Sequence, residues 1–284
     1  GGAVSNYERQ IEEAFQLYNR LGIHYVKTGY VNKYLDGKEW HDSQYGVRHY
    51  RKVLELAAKY KINIDNHEPV KPTGLCRTYP NLMTQEGARG QEYDAWSPDG
   101  GNPPSHTTIL PFTRMLAGPF DFTPGTFNFN NPNNPNVRVQ TTLAKQLALF
   151  VVIYSPLQMA SDLPENYEGK PAFEFIKRVP CDWEKTLVPQ AKIGEYVVMV
   201  RKDRNSNKWY IGAITNEQSR ELTLKLDFLD PNVQYTAHIY ADGDDADWKE
   251  NPYSIKIFSI PVKANDELPL KMSAGGGVAI EIER

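Results

Sequence analysis

Between Tyr7 and Glu68, two helix-period segments alternate with two short β-branched runs, and this alternation constrains the fold more than any other feature. Tyr7 to Arg20 places Ile11, Ala14, Phe15, Leu17 and Tyr18 on one side, with Leu21 next on the same stripe, and Gly22 ends the helix. Ile23 to Val31 reads as a strand. A polar, aromatic loop, Asn32 to Gln44, leads to a second helix, Gly46 to Tyr60, whose buried face is Val47, Tyr50, Val53, Leu54, Ala57 and Ala58. The next strand, Ile62 to Glu68, ends in His67-Glu68-Pro69. A strand–helix–strand unit with a helix this long implies parallel strands. The pattern continues less cleanly, with strand plus loop at Tyr79 to Glu86, a helix at Thr107 to Ala117 and an extended piece at Phe120 to Thr123. The strongest helix spans Val137 to Tyr154, and an amphipathic one lies near Pro171 to Val179.

From about Cys181 the character changes to short alternating runs. Glu195 to Arg201, Lys208 to Thr215, Glu221 to Leu226, Gln234 to Tyr240, Ser254 to Ile260 and Gly277 to Ile282 are separated by Asp/Asn/Gly turn clusters. That spacing predicts an antiparallel β-sandwich. The expected organisation is therefore α/β plus all-β, divided into residues 1–182 and 183–284. The α/β part is short of the ~250 residues typical of a (β/α)8 barrel. It also opens on a helix with no preceding strand. It reads either as a small open α/β domain or, the preferred expectation, as the back half of a barrel.

Charge separates some function classes from others. With 32 Lys+Arg against 35 Asp+Glu, no basic excess exists to neutralise phosphates, which argues against nucleic-acid binding. The longest apolar stretch, Leu147 to Tyr154, is far too short for a membrane-spanning helix. Two cysteines, Cys76 and Cys181, exclude a disulfide-stapled scaffold and a cysteine zinc cluster, and no disulfide between them is expected. Aromatic residues at 12%, including 17 Tyr, tilt the reading towards sugar handling, although plain β-rich chains share this bias.

Three glutamates stand out. Glu68 closes a strand, where the active-site rim of a parallel barrel lies, and Pro69 fixes the turn behind it. Glu86 and Glu92 flank Gly87-Ala-Arg-Gly90, which brings two carboxylates towards one locus. Such a set can divide into a general acid and a general base, hold Ca²⁺ through hard oxygens, or simply be solvated surface. His67 could bind a sugar hydroxyl or be a satisfied buried histidine. Trp40 and His41, beside Asp42 in the first rim loop, suit a sugar face as well as they suit ordinary packing. Arg77 and Tyr79, with Asn81, read as rim donors, and Arg114 as a helix residue in an internal salt bridge.

The runs His67-Glu-Pro-Val-Lys-Pro-Thr-Gly74, Cys76-Arg-Thr-Tyr-Pro-Asn-Leu-Met83, Glu86-Gly-Ala-Arg-Gly-Gln-Glu92 and Leu110-Pro-Phe-Thr-Arg-Met-Leu-Ala-Gly118 closely resemble glycoside hydrolase family 97. The resemblance extends from about residue 5 through the C-terminal sandwich. The family contains α-glucosidases and α-galactosidases, built from an N-terminal β-sandwich, a central (β/α)8 barrel and a C-terminal β-sandwich. It implies that this chain is the back half of the barrel plus the last domain. It further implies that Glu68 is the general acid, that Glu92 is the base of the inverting branch, and that Glu68, Glu86 and Glu92 hold a Ca²⁺ ion. His67, Trp40, His41, Arg77 and Tyr79 would then bind the oligosaccharide. The missing N-terminal half would supply a further base and calcium ligand, and the setting would be periplasmic. The retaining branch uses an Asp nucleophile at the end of an earlier strand, where this chain reads Lys27-Thr-Gly-Tyr30. The expected function is a Ca²⁺-dependent, exo-acting, inverting α-glycosidase. The alternatives are a retaining α-galactosidase and a non-catalytic carbohydrate-binding fragment.

Overall fold

The computed structural model describes residues 2–284. The chain separates into two compact units, the first made of residues 2–90, 114–122 and 155–157, the second of 91–113, 123–154 and 158–284.

In the first unit, helix α1 (Val4–Arg20) leads to strand β1 (Tyr25–Gly29). A small hairpin of β2 (Tyr34–Leu35) and β3 (Glu39–Trp40) precedes helix α2 (Gln44–Lys59). Strand β4 (Asn63–His67), the single turn α3 (Leu75–Thr78) and strand β5 (Leu82–Gln85) follow. The hairpin falls inside the expected loop because two-residue strands are too short to show alternation. β1, β4 and β5 form a parallel sheet in that order, with Tyr25 opposite Asn63 and Gly29 opposite His67. Phe120 adds a fourth extended segment through a parallel bridge to Gln85.

Ile11 and Phe15 of α1 and Val53, Leu54 and Ala57 of α2 pack with Ile62, Ile64 and Leu82 into one core. The buried stripe of α1 is narrower than its periodicity suggests, since Leu17 and Leu21 are 40% and 63% exposed. Side chains alternate along a strand, so burying Ile64 against the helices turns Asp65 and His67 to the opposite face. One face of this sheet is therefore apolar and helix-covered, and the other carries charge.

The second unit contains α4 (Tyr93–Trp96), α5 (His106–Ile109), α6 (Leu143–Val152), α7 (Pro164–Tyr167) and α8 (Phe173–Arg178). Its strands are β6 (Trp183–Lys192), β7 (Tyr196–Asp203), β8 (Trp209–Thr215), β9 (Arg220–Lys225), β10 (Tyr235–Asp242), β11 (Ile255–Val262), β12 (Glu267–Met272) and β13 (Gly277–Glu283). Six strands form an antiparallel sheet in the order β11-β10-β13-β8-β7-β6. β9 and β12 pair separately and close a core containing Val198, Val200, Ile211, Leu224, Leu270, Ile280 and Ile282.

The other face of the large sheet is covered by α6, every residue of which is buried. Gly212 permits this approach, because a Cβ there would stand 2.6 Å from the Ala148 carbonyl oxygen. Compactness thus groups α6 with the C-terminal strands, whereas sequence character changes near Cys181. The long helix expected from Val137 starts later, because Arg138 is bridged to Asn130 and Thr142 provides the N-cap. The helix expected over Thr107 to Ala117 breaks into α5 and two short 3₁₀ turns, Leu110–Phe112 and Arg114–Ala117. Pro111 lacks the amide that a continuous helix would need there. Both cysteines are free thiols.

Candidate active site

Glu68 sits one residue beyond β4 with a backbone φ of 51°, in the left-handed region that non-glycine residues avoid. A residue before proline normally adopts extended geometry, so this conformation is held by its surroundings. The Glu68 amide donates to Glu86 Oε2 at 3.0 Å, and its carbonyl accepts from the Tyr50 hydroxyl of α2. Strain of this kind, of order 1–3 kcal/mol, persists only where the surrounding structure over-determines the conformation. The side chain leans over the tip of β1, and a Cβ on Gly29 would lie 3.0 Å from Glu68 Oε2.

Glu86 follows β5 in the same way and is only 5% exposed. Its amide donates to the Asn66 carbonyl at 2.9 Å. Its carbonyl accepts from Arg114 Nε at 2.7 Å. Gly90 leaves room on the other side, where a Cβ would come within 3.2 Å of Glu86 Oε1. Arg114 is buried, and its guanidinium also reaches the carbonyls of Gln85, Gly118 and Pro119. The expectation of a salt-bridged helix residue gives way to a clamp on the backbone beneath Glu86.

The polar face of the sheet gathers charges that sequence reasoning missed. Lys27 Nζ lies 2.7 Å from Asp121 Oδ2 and 3.8 Å from Asp65 Oδ2. His67 Nδ1 lies 3.4 Å from Asp121 Oδ2 and 3.6 Å from Glu86 Oε2. Burial, and then the neighbouring Asp121 charge, push the Asp65 carboxyl well above the ordinary carboxylate range. Burial also acts against the Asp121 charge, but hydrogen bonds from His67 and Lys27 outweigh it and hold its carboxyl low. For Lys27, burial is likewise outweighed, by Asp121 first and then by Asp65 and Glu86, and its pKa is raised. The signal was legible in retrospect. Lys27 alternates with Val26 and Thr28, and Asp65 with Ile64 and Asn66, which places both charges on one face.

The remaining expected residues divide. Trp40 is half exposed on the hairpin, edge-on to Tyr34 with ring centroids 6.0 Å apart. His41 Nε2 lies 3.4 Å from the Tyr50 hydroxyl, which ties the hairpin to the residue holding Glu68. Arg77 and Tyr79 are not brought to this end of the sheet. Arg77 is exposed on α3, and Tyr79 precedes β5, donating its hydroxyl to Glu55 of α2 at 2.8 Å. Chain direction explains this, because the segment after Pro69 must return to the start of the next parallel strand. Glu92 belongs to the second unit, half-buried immediately before α4.

Comparison with known proteins gives a consistent result. A family model described as Glycoside hydrolase 97 matches residues 2–88. A second, described as Glycosyl-hydrolase 97 C-terminal, oligomerisation, matches residues 182–283. A retaining alpha-galactosidase of Bacteroides thetaiotaomicron is 32% identical over 283 residues, covering 98% of this chain and 41% of that protein. A probable retaining alpha-galactosidase of Streptomyces bingchenggensis is 32% identical over 68% of this chain and 27% of its own length. Solved structures of a glycoside hydrolase family 97 enzyme from Pseudoalteromonas sp. strain K8, in complex with panose and with acarbose, are 50% identical. They superpose with a TM-score of 0.93 over 99% of this chain and 45% of theirs. The chain therefore spans less than half the length of each of these relatives.

Proposed function

The chain belongs to glycoside hydrolase family 97, and on that premise we propose that its parallel sheet is an arc of a (β/α)8 barrel whose rim carboxylates hydrolyse terminal α-glycosidic bonds with inversion. The arc is supported by one contact. Asp121 follows the fourth extended segment and Lys27 lies on the first, yet the two side chains meet at 2.7 Å. Three strand spacings on a flat sheet are roughly 14 Å, beyond what these two side chains span together, so the sheet curls towards its charged face.

Inversion is carried by the tip of β1. A retaining mechanism needs a carboxylate nucleophile close to the anomeric carbon. The strand reads Lys27-Thr28-Gly29, and the space beside Gly29 is taken by the Glu68 carboxylate. In an inverting enzyme two carboxyls stand ~6.5–9.5 Å apart, one protonating the leaving oxygen and the other activating water. The family resemblance gives the first role to Glu68 and the second to Glu92. The 50% identical enzyme holds panose and acarbose, which favours glucose-containing oligosaccharides as substrates.

Calcium fits the residues present. Glu68 and Glu86 are hard oxygen donors linked through the Glu68 amide. Each has an oxygen facing a glycine, Gly29 or Gly90, where a Cβ would crowd it. Glu68, Glu86 and Glu92 would hold the ion, which when bound lowers carboxylate repulsion and orients sugar hydroxyls. A complementary N-terminal half would complete both the barrel and the ligand set.

The test follows nitrophenyl α-glucoside hydrolysis by NMR in a full-length enzyme carrying this chain. The reading requires the β-anomer to form first, with activity lost on chelation and restored by Ca²⁺. An α-anomer would overturn inversion. α-Glucosyl fluoride, whose leaving group needs no protonation, then assigns the two roles: the variant lacking the acid, among Glu68→Gln and Glu92→Gln, still cleaves it. The names of the 32% identical relatives favour a second reading, a retaining α-galactosidase, and preferential turnover of an α-galactoside with the α-anomer first would establish it.

A further inference from the structure

We propose that Tyr50 is a positioning residue for catalysis, acting through Glu68: its hydroxyl holds the Glu68 carbonyl and thereby aims the Glu68 carboxylate over the tip of β1. The inference rests on the glycosidase reading and applies whether Glu68 gives or takes the proton.

Alternation along β4 would send Glu68 elsewhere. Residues 64, 66 and 68 of an unbroken strand share one face, and Ile64 is fully buried in the core that α1 and α2 build. A continued strand would therefore point Glu68 at the helices. Its φ of 51° breaks the alternation instead, and Glu68 Oε2 comes within 3.0 Å of where a Cβ on Gly29 would stand. Pro69 opposes this conformation, because a residue before proline is pressed towards extended geometry. The aim of the carboxylate thus depends on whatever holds the Glu68 backbone.

The two torsions of Glu68 lie between two hydrogen bonds. Its amide donates to Glu86 Oε2 at 3.0 Å, and its carbonyl accepts from the Tyr50 hydroxyl at 2.5 Å. Relaxing to extended backbone would swing that carbonyl off the hydroxyl and break the second bond. Glu86 is itself a rim carboxylate, whereas Tyr50 belongs to the core. It is 3% exposed in a cluster with Val4, Tyr30 and Leu35, edge-on to Tyr30 with ring centroids 5.4 Å apart. A phenylalanine ring has the same outline and would fill that place, so packing gives no reason for a hydroxyl. A buried phenol needs a partner, and its partner here is the backbone of the residue placed at the chemistry.

The full-length enzyme is compared with Tyr50→Phe, Pro69→Ala and the double variant, reading kcat and KM on whichever of maltose and melibiose the parent cleaves. Tyr50→Phe should lower kcat by on the order of 10²-fold, the cost of about 1 Å of misplacement. KM should stay within about threefold, because ground-state binding is kept. Pro69→Ala relieves the pressure towards extended backbone, so the double variant should regain at least about threefold in kcat over Tyr50→Phe. A merely structural tyrosine gives the opposite order, since losing the proline as well would weaken the fold further. A crystal structure of Tyr50→Phe gives a reading independent of turnover, in which Glu68 should have a negative φ. Parent kcat in Tyr50→Phe, no recovery in the double variant, or a Glu68 φ still left-handed in the crystal would overturn the proposal. A parent enzyme that cleaves neither disaccharide would instead refute the glycosidase reading.

Discussion

Glu68 rests its carboxylate where a side chain on Gly29 would begin, 3.0 Å from the position of an added Cβ. Gly29 has no left-handed φ, so alanine suits its backbone. The conflict is with the flexible end of Glu68 alone. Gly29→Ala should change stability by no more than about 1 kcal/mol. Displacing a reacting group by about 1 Å can cost ~10²-fold in rate, so kcat/KM should fall by about that factor. Urea unfolding and glucoside turnover on the same preparation separate the two effects. A variant with unchanged kcat/KM would show that this approach does not set the Glu68 carboxylate.

Arg114 holds Glu86 from below. Its guanidinium serves the carbonyls of Gln85, Glu86, Gly118 and Pro119 and lies 4.9 Å from the Phe120 ring centroid. Burial lowers its pKa to about 10, which leaves it charged at neutral pH. A lysine ammonium is a point donor and cannot reproduce the planar fork. Arg114→Lys should therefore destabilise the fold by about 2–4 kcal/mol, since buried carbonyls lose charged donors. The urea midpoint measures this. A shift below about 0.5 kcal/mol would show that water replaces the clamp without loss.

The fold was legible where a period repeats long enough to be counted. α1, β1, α2 and β4 lie within a few residues of their expected bounds because Ile11, Phe15, Val53, Leu54 and Ile64 mark a continuous apolar face. β6 escaped notice because it is a mostly exposed edge strand, with Pro189 at a register shift and little alternation to read. That Glu68 and Glu86 stand at strand ends was legible because turn residues follow them in the sequence. Lys27, Asp65 and Asp121 were not, because a charge inside a strand carries no mark of its purpose until its neighbours across the sheet are known. Tyr79 was misplaced for a related reason: sequence distance from Glu68 does not tell which end of a parallel sheet the chain has reached.

Gly212 supports the second unit as a contact, not a turn. A Cβ there would stand 2.6 Å from the Ala148 carbonyl oxygen and 2.9 Å from Val151 Cβ. Neither is the far end of a flexible side chain, so α6 would have to move off β8. Gly212→Ala should cost about 1–3 kcal/mol or more, the range for overpacked cores. Chemical denaturation checks this, and near-neutral stability would mean that α6 shifts on the sheet without loss.

Lys145 gives this unit a pH dependence of definite sign. It is fully buried on α6, and its Nζ donates to the carbonyls of Pro104 at 2.7 Å and Thr215 at 2.8 Å. Burial lowers its pKa to about 7, although Glu217 and Asp242 pull the other way. In the unfolded chain the value is about 10.4. Between these limits the unfolded state binds a proton that the folded state does not, so stability rises with pH from about 7 towards about 10. Below about pH 7 both states are protonated, and the cost of burying the charge is felt in full. Lys145→Met should remove this slope while losing about 1–3 kcal/mol at high pH, where two buried carbonyls are left without their donor. Comparing urea midpoints of the two proteins across the window isolates the lysine, because the buried tyrosines titrate alike in both. Parallel profiles from pH 7 to 9 would show that Lys145 keeps its charge inside the fold.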